Sequence, residues 1–393
     1  MADSIAPRSS HRAPTLAVIG GGQLARMMAQ PAIAMGLPLR LLAEAEGVSA
    51  AQVIPDQLVG DYRDLPTLLK VVDGCSTVTF DHEHVPTEHL HALSSAGVNV
   101  HPGPEALVHA QDKGVMRERL TALGVPCPRH ALVSTPEEVE SFGFPAVLKT
   151  TRGGYDGKGV WVVRSAEDCA DAFSTAAESD VRILAEELVD FRRELSVLVA
   201  RSPSGQAAAY PVVASTQRDG ICHEVVAPAP DLSPELAAQA QQIGLRVAGE
   251  LGVTGILAVE LFETTDGRVL VNELAMRPHN TGHWTQDGAV TSQFENHLRA
   301  VMDLPLGSPS PRARWTVMVN ILGGDSDTGH LYDGLPHALA RDPHLRVHLY
   351  GKDLRPGRKV GHVNAYGDDL DDCLERARHA AAWFRGDLGE TSE

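Results

Sequence analysis

From Thr15 onward, short apolar runs alternate with amphipathic stretches, and the alternation predicts elements in a definite order. Thr15 to Gly22 reads as a buried strand running into a glycine turn, followed by an amphipathic helix through about Met35 and a strand over Pro38 to Ala43. A helix around Leu65 to Val72, a strand at Thr77 to Phe80 and a helix around Thr87 to Ala96 continue the series, which predicts βαβ units on a parallel sheet. After a helix near Gln111 to Leu123, strands and helices run to Val189. Glu194 to Val226 reads as antiparallel strands, Pro234 to Leu251 as a long helix, and Thr291 to Met302 as a helix ended by Pro305. The Gly-Ser-Pro-Ser-Pro stretch at 307 to 311 reads as a linker, and the short strands and final helix beyond it as a small α+β domain.

Between the long helix and Thr291 lie two strand-like runs, Leu257 to Thr264 and Arg268 to Leu274, which read as a hairpin closed at Asp266-Gly267. With a two-residue turn, pairing counts outward from 265 with 268 until Glu260 meets Glu273. Carboxylates directly opposed at ~5 Å between Cβ atoms repel, so something positive belongs between them, and a divalent cation is the natural candidate. A solvated edge hairpin one residue out of register is the alternative.

Upstream, an apolar strand delivers Lys149, a loop with Gly153, Gly154, Tyr155, Asp156, Gly157, Lys158 and Gly159 follows, and Val160 opens a second apolar strand. Glycines let backbone N–H groups approach phosphate oxygens, and the two lysines supply charge to the same polyanion. The loop reads as a flexible lid between two strands. It is not a Walker A loop, since no Gly-Lys-Ser/Thr opens a helix. A plain glycine-rich hairpin is the bland alternative, and it needs neither four glycines nor two lysines.

Composition narrows the partners. The 393 residues carry a formal net charge of −17, which repels nucleic acid and anionic membranes. The five cysteines are scattered and never form a Cys-x-x-Cys pair, as expected of reduced thiols in the cytoplasm. Residues 1 to 14 read as a disordered leader without an apolar segment, and no apolar run approaches the ~18 residues of a membrane span. The first glycine turn, Gly20 to Ala25, fits G-x-G-x-x-A, with Glu44 and Glu46 after the next strand where a dinucleotide site keeps its ribose-binding acid. Such a turn binds any phosphate, so on its own the match is weak.

A two-lysine lid followed by an acidic hairpin is the layout of the ATP-grasp fold. With Asn272-Glu273-Leu274-Ala275-Met276-Arg277-Pro278-His279-Asn280, the lid, and Arg355-Pro356-Gly357-Arg358-Lys359-Val360-Gly361-His362, the chain resembles the N5-carboxyaminoimidazole ribonucleotide synthetase family from Thr15 to its last helix. The fold class this implies is α/β and α+β: a Rossmann-like parallel-sheet domain over 15–112, an ATP-grasp domain over 113–306 with a lid subdomain at about 125–190, and a small α+β domain over 312–389. The activity it implies is carboxylation of aminoimidazole ribonucleotide by ATP and bicarbonate, through carboxyphosphate, in a cytoplasmic homodimer.

Carried over by position, the resemblance makes Lys113 and Lys149 phosphate contacts of ATP and Gly154 to Val160 the lid. Glu186, Glu187, Leu188 and Val189 would run along the adenine, Glu194 would hold the ribose, and Glu260, Glu273 and Asn272 would hold magnesium. The family can carry Arg where Lys113 stands and His where Gln217 stands, which leaves any nucleotide role of Gln217 open. Arg277, His279 and Asn280 follow the magnesium strand and are candidates to hold bicarbonate and the second substrate. His279 is the only proton acceptor among them, with a structural histidine as the alternative. For the substrate's own phosphate, Lys352, Arg355, Arg358 and Lys359 supply cations and the turn Gly21, Gly22, Gln23 and Leu24 supplies N–H donors, with a plain surface-charge cluster as the alternative. Lys352 is placed with the catalytic group as well. Asp81-His82-Glu83-His84 looks like a metal box but is expected to line the ribose or face water, Glu83 being its candidate substrate contact. Two further readings compete: another ATP-grasp ligase using biotin or formate, and a nicotinamide-dependent oxidoreductase built on Gly20 to Ala25.

Overall fold

The computed structural model describes residues 13–154, 157–218, 220–324 and 331–388. The expected leader falls almost wholly outside them, as do Tyr155 and Asp156 of the lid.

Strands Leu16–Ile19 and Thr77–Phe80 are buried at every residue, as strands covered on both faces must be. They pair in parallel, with Leu39–Ala43 and then Gln57–Val59 on one side and Asn99–Val100 on the other. The two outer strands are too short for the sequence pattern to have marked them. Helix Gln23–Met35 leaves the first strand through the glycine turn and stops at Gly36, whose φ of 60° requires glycine.

The central part has two sheets. The lid sheet runs in the order His130–Val133, Ile183–Glu187, Ala146–Thr150, Val160–Val163. The large sheet starts at edge strand Val269–Ala275 and continues through Gly255–Thr264, Phe191–Arg201, Val213–Arg218 and Ile221–Ala227. Trp315–Leu322, Lys359–Gly367 and Arg346–Leu349 then extend it, so the C-terminal strands add to the central sheet. Stretch 307–311 is not the free linker expected from its composition. Val290 N–H donates to Ser310 O at 2.9 Å and Thr291 N–H to Ser308 O at 3.0 Å, while a Cβ on Gly307 would meet Thr291 Oγ1 at 2.2 Å.

One apolar core joins a face of the parallel sheet (Ile19, Phe80) to the large sheet (Leu195, Val199, Val259), which fixes the two relative to each other. The lid subdomain closes over a separate core of its own, including Val139, Leu148 and Ile183. Among the described residues no helix is long and apolar enough to cross a membrane.

His297, fully buried on helix Gln293–Val301, ties the two parts together. Its Nδ1 accepts the Ile256 N–H at 3.1 Å, so Nε2 carries the proton and meets Thr79 Oγ1 at 2.8 Å. Burial, with His101 nearby, lowers its pKa to about 3. Below the unfolded value near 6.5 the unfolded chain takes up a proton that the folded chain refuses. The histidine therefore removes about 1.4 kcal/mol of stability per pH unit as pH falls below 6.5. The expected result is that the stability difference between wild type and His297→Gln, measured by urea unfolding at pH 7.5, 6 and 5, moves against the wild type by that slope. A constant difference would show that the ring titrates normally.

Candidate active site

Glu260 and Glu273 do face each other, but not through the expected turn. Thr264 and Arg268 close the hairpin around Thr265, Asp266 and Gly267, with Gly267 at φ 81°. That loop is one residue longer than a two-residue turn, and the register near it is Glu263 with Val269 and Leu261 with Val271. A bulge between Glu260 and Leu261 on the pairing map inserts Asn272 and restores Glu260 opposite Glu273. Its second consequence matters more. The bulge breaks the up-down alternation, so the neighbours Asn272 and Glu273 both line the cleft beside Glu260.

The charges around this hairpin are unequal. Burial, then Glu273 and Glu194, push the Glu260 carboxyl up to about 7. Burial acts on Glu273 in the same direction, but Lys113, hydrogen-bonded to it, holds it below the ordinary carboxylate range. Two carboxylates and an amide oxygen form the hard, all-oxygen set that suits magnesium, which is commonly bound by one or two carboxylates with phosphates completing its shell. Among the described residues no group of three His, Cys, Asp or Glu side chains is placed to hold a metal, in the Asp81 to His84 run or elsewhere.

Lys149, next to last in its strand, has Nζ 2.7 Å from Glu186 Oε2 and 3.1 Å from Asn272 Oδ1. Glu186, 2% exposed, also pairs with Arg117, itself 1% exposed. Burial alone would raise its pKa; Lys149 and Arg117 instead lower it to about 2. The Glu186 side chain is thus committed to these cations, and Glu187, Leu188 and Val189 carry the lining onward towards Phe191. Glu194 and Gln217 line the same stretch, and burial raises Glu194 to about 7. In the lid, Gly154 faces Gly159, where a Cβ on Gly159 would meet Thr150 Oγ1 at 2.5 Å. Gly157, Lys158 and Val160 complete the lid wall among the described residues.

All of this bounds one continuous cleft of about 1100 Å³. Beyond the hairpin come Arg277, His279 and Asn280. Arg277 Nε donates to Glu83 Oε2 at 2.7 Å, and Glu83 Oε1 also accepts the Met276 N–H at 3.1 Å, so Glu83 is the brace of Arg277 as well as a lining residue. His279 Nδ1 lies 2.8 Å from Thr281 Oγ1 and accepts the Thr281 N–H, which leaves the proton on Nε2, 3.2 Å from Glu260 Oε1. Burial and the Arg277 and Lys359 charges keep the ring neutral. Its lone pair faces Thr281, an arrangement that suits the structural alternative better than a proton acceptor for substrate. Asn280 Oδ1 accepts from Asn320, whereas its buried Nδ2 has no partner among the described residues and stands ready for a ligand oxygen. Behind it, His283, His362 and His348 stack with centroids 4.8 and 4.5 Å apart, a polar wall that the scattered sequence positions gave no hint of.

At the far end the expectation for the glycine turn needs correction. Gly21 N–H donates to Glu44 Oε2 at 3.0 Å, and Asp81 accepts from Gly22 N–H at 3.1 Å and Ala25 N–H at 2.7 Å. The amides of Gly21 and Gly22 are therefore engaged by carboxylates. The glycines serve packing, since a Cβ on Gly22 would lie 2.0 Å from Asp81 and one on Gly21 2.3 Å from Val48. A dinucleotide pyrophosphate would have to displace both acids, which removes the physical basis of the oxidoreductase reading. Gln23 and Leu24 do line the cleft; Lys359 lines it too, and Lys352 reaches the Gln23 side chain. Arg355 is exposed, and Arg358 donates to Asp353 O at 3.3 Å, so these two are not brought to the cleft wall.

Family models match three consecutive stretches: a ribonucleotide synthetase preATP-grasp domain at residues 14–111, an ATP-grasp domain at 118–294, and a phosphoribosylaminoimidazole carboxylase C-terminal domain at 316–376. The N5-carboxyaminoimidazole ribonucleotide synthase of Mycobacterium tuberculosis is 55% identical over 381 residues, covering 96% of this chain and 89% of that protein. That of Corynebacterium ammoniagenes is 53% identical, covering 94% and 91%. Among solved structures, an N5-carboxyaminoimidazole ribonucleotide synthetase in an ADP complex superposes with a TM-score of 0.86 at 36% identity, covering 96% of this chain and 99% of the other. The Aspergillus clavatus enzyme in complex with ADP and 5-aminoimidazole ribonucleotide gives 0.86 at 30% identity, covering 95% and 99%. An ATP-grasp site of this build, in a chain so similar along nearly its full length, belongs to the N5-carboxyaminoimidazole ribonucleotide synthase family.

Proposed function

We infer that the chain uses ATP to carboxylate 5-aminoimidazole ribonucleotide to N5-carboxyaminoimidazole ribonucleotide, releasing ADP and phosphate. The observation that carries this is the single cleft in which the Glu260–Glu273 pair and two lysines adjoin the Arg277, His279 and Asn280 cluster. A bicarbonate oxygen attacks the γ-phosphorus as the bond to ADP breaks, giving carboxyphosphate. The exocyclic amine then takes the carboxyl carbon, directly or as CO2, as the carbon–oxygen bond to phosphate breaks, and the departing phosphate is the final acceptor of the proton the amine gives up.

Joining two anions calls chiefly for charge neutralisation. Lys149 and Lys113 face the phosphates, and Arg277, oriented by Glu83, holds bicarbonate together with the Asn280 amide. Glu260, Glu273 and Asn272 would hold magnesium, whose contribution is to neutralise phosphate charge. The lid over Gly154 to Val160 excludes water from a short-lived mixed anhydride. Leu188 and Val189 flank the adenine, Glu194 holds the ribose, and Lys352 with Lys359 anchors the substrate phosphate beside Gln23. A cytoplasmic homodimer completes the reading.

ADP release should require magnesium and rise strongly only when aminoimidazole ribonucleotide and bicarbonate are both present. Stimulation instead by biotin, or by formate with glycinamide ribonucleotide, would reassign the substrate to another ATP-grasp ligase.

A further inference from the structure

Arg117 has no part in the ligand contacts described above, yet it is the most deeply buried cation beside them, on helix Lys113–Ala122 at 1% exposure. Burying a guanidinium is costly unless its fork of donors is matched. Here the match is nearly complete: Nε donates to Glu186, Nη1 to Val271 O at 2.9 Å and Nη2 to Asn272 O at 2.7 Å.

Those two carbonyls belong to consecutive residues. In a regular strand successive carbonyls point to opposite edges, so one donor fork cannot take both. At the Asn272 bulge they turn the same way, out of the sheet's edge strand and into the guanidinium. Arg117 thus satisfies the backbone that the bulge leaves unpaired, and a buried edge without it would carry orphaned carbonyls. Four residues close a ring: Arg117 holds Glu186, Glu186 holds Lys149, Lys149 holds the Asn272 side chain, and the Asn272 carbonyl returns to Arg117. One turn earlier on the same helix, Lys113 reaches Glu273.

We propose that Arg117 is a positioning residue that locks the Asn272 bulge, holding Asn272 and Glu273 on the cleft face in register with Lys149. It touches neither nucleotide nor metal and acts through the strand. The proposal rests on the reading of Asn272 and Glu273 as the magnesium strand.

The test is calorimetric titration of ADP with and without magnesium, so that the readout is binding and not turnover. In Arg117→Lys the charge stays but one ammonium cannot serve three acceptors spread around it. The magnesium-dependent gain in ADP affinity is expected to shrink at least about tenfold, the loss typical when a partner that orients a ligand is removed. The KM for aminoimidazole ribonucleotide should stay within twofold while kcat falls. A folded variant with its full magnesium gain would make Arg117 a core ion pair and no more. Should Arg117→Lys fail to fold, Arg117→Gln, whose single amide can serve one of the two carbonyls but not both, is titrated in its place and is expected to lose the gain in the same way. A full magnesium gain in that variant would overturn the proposal. Glu273→Gln is the control: if it too leaves the magnesium gain intact, the fault lies in the reading of the metal strand, not in the assignment of Arg117.

Discussion

Metal-free Glu260→Gln is expected to be more stable than the wild type at pH 8, and almost inactive. In the unfolded chain this carboxyl ionises near its ordinary value, whereas in the folded chain it resists ionisation up to about 7 because it is buried opposite Glu273 and near Glu194. Folding therefore bears a penalty above pH 7 that amounts to about 3 kcal/mol and fades as pH falls towards 4.5. Glutamine removes the penalty and keeps an oxygen for the His279 Nε2–H. Glu273→Gln should behave differently. Its carboxylate is already compensated by Lys113, so its loss strands a cation and lowers stability. Both variants should lose more than about a hundredfold in turnover, since even partners one shell out from a metal cost 10–100-fold. Thermal melts without metal and ATP turnover over a magnesium titration give the two readouts. Equal and near-neutral melting shifts, with normal turnover at ordinary magnesium, would mean a solvated hairpin and no metal site.

Lys149→Met is the second large effect. On the function proposed above the lysine has two jobs, because the cation that would face the nucleotide also pairs with Glu186. Removing one stabilising group from a phosphoryl-transfer site costs on the order of a hundred- to a thousandfold, so kcat/KM for ATP should fall by that much. Stability should fall as well, by about 1–3 kcal/mol, as expected when a buried charge loses one of its hydrogen-bonded partners. Arg117 remains to limit the loss. A melt shift with unchanged ATP kinetics would reduce the lysine to a prop for Glu186.

The opposition of Glu260 and Glu273 was legible in sequence, yet by two deviations that cancel: a turn one residue longer than assumed and a bulge one residue wide. A clue to the bulge was present. Asn272 and Glu273 are adjacent polar residues in a strand of otherwise apolar ones, and strict alternation would have driven one of them towards the core. The parallel sheet and the lid followed from periodicity because each rests on local spacing. Arg117 did not, since its partners lie 69, 154 and 155 positions away and nothing in its helix marks it as buried. The glycine turn misled for a related reason. Its pattern describes a backbone shape, and the occupants of that shape, Asp81 and Glu44, come from other strand ends.

The most direct measurement follows the oxygen. With bicarbonate labelled in all its oxygens, attack on the γ-phosphorus and later cleavage of the carbon–oxygen bond leave one bicarbonate oxygen on phosphate. The account predicts that, in the presence of aminoimidazole ribonucleotide, each ADP released is matched by one phosphate carrying one labelled oxygen and by one carboxylated substrate. Unlabelled phosphate, or ADP release indifferent to aminoimidazole ribonucleotide, would contradict it.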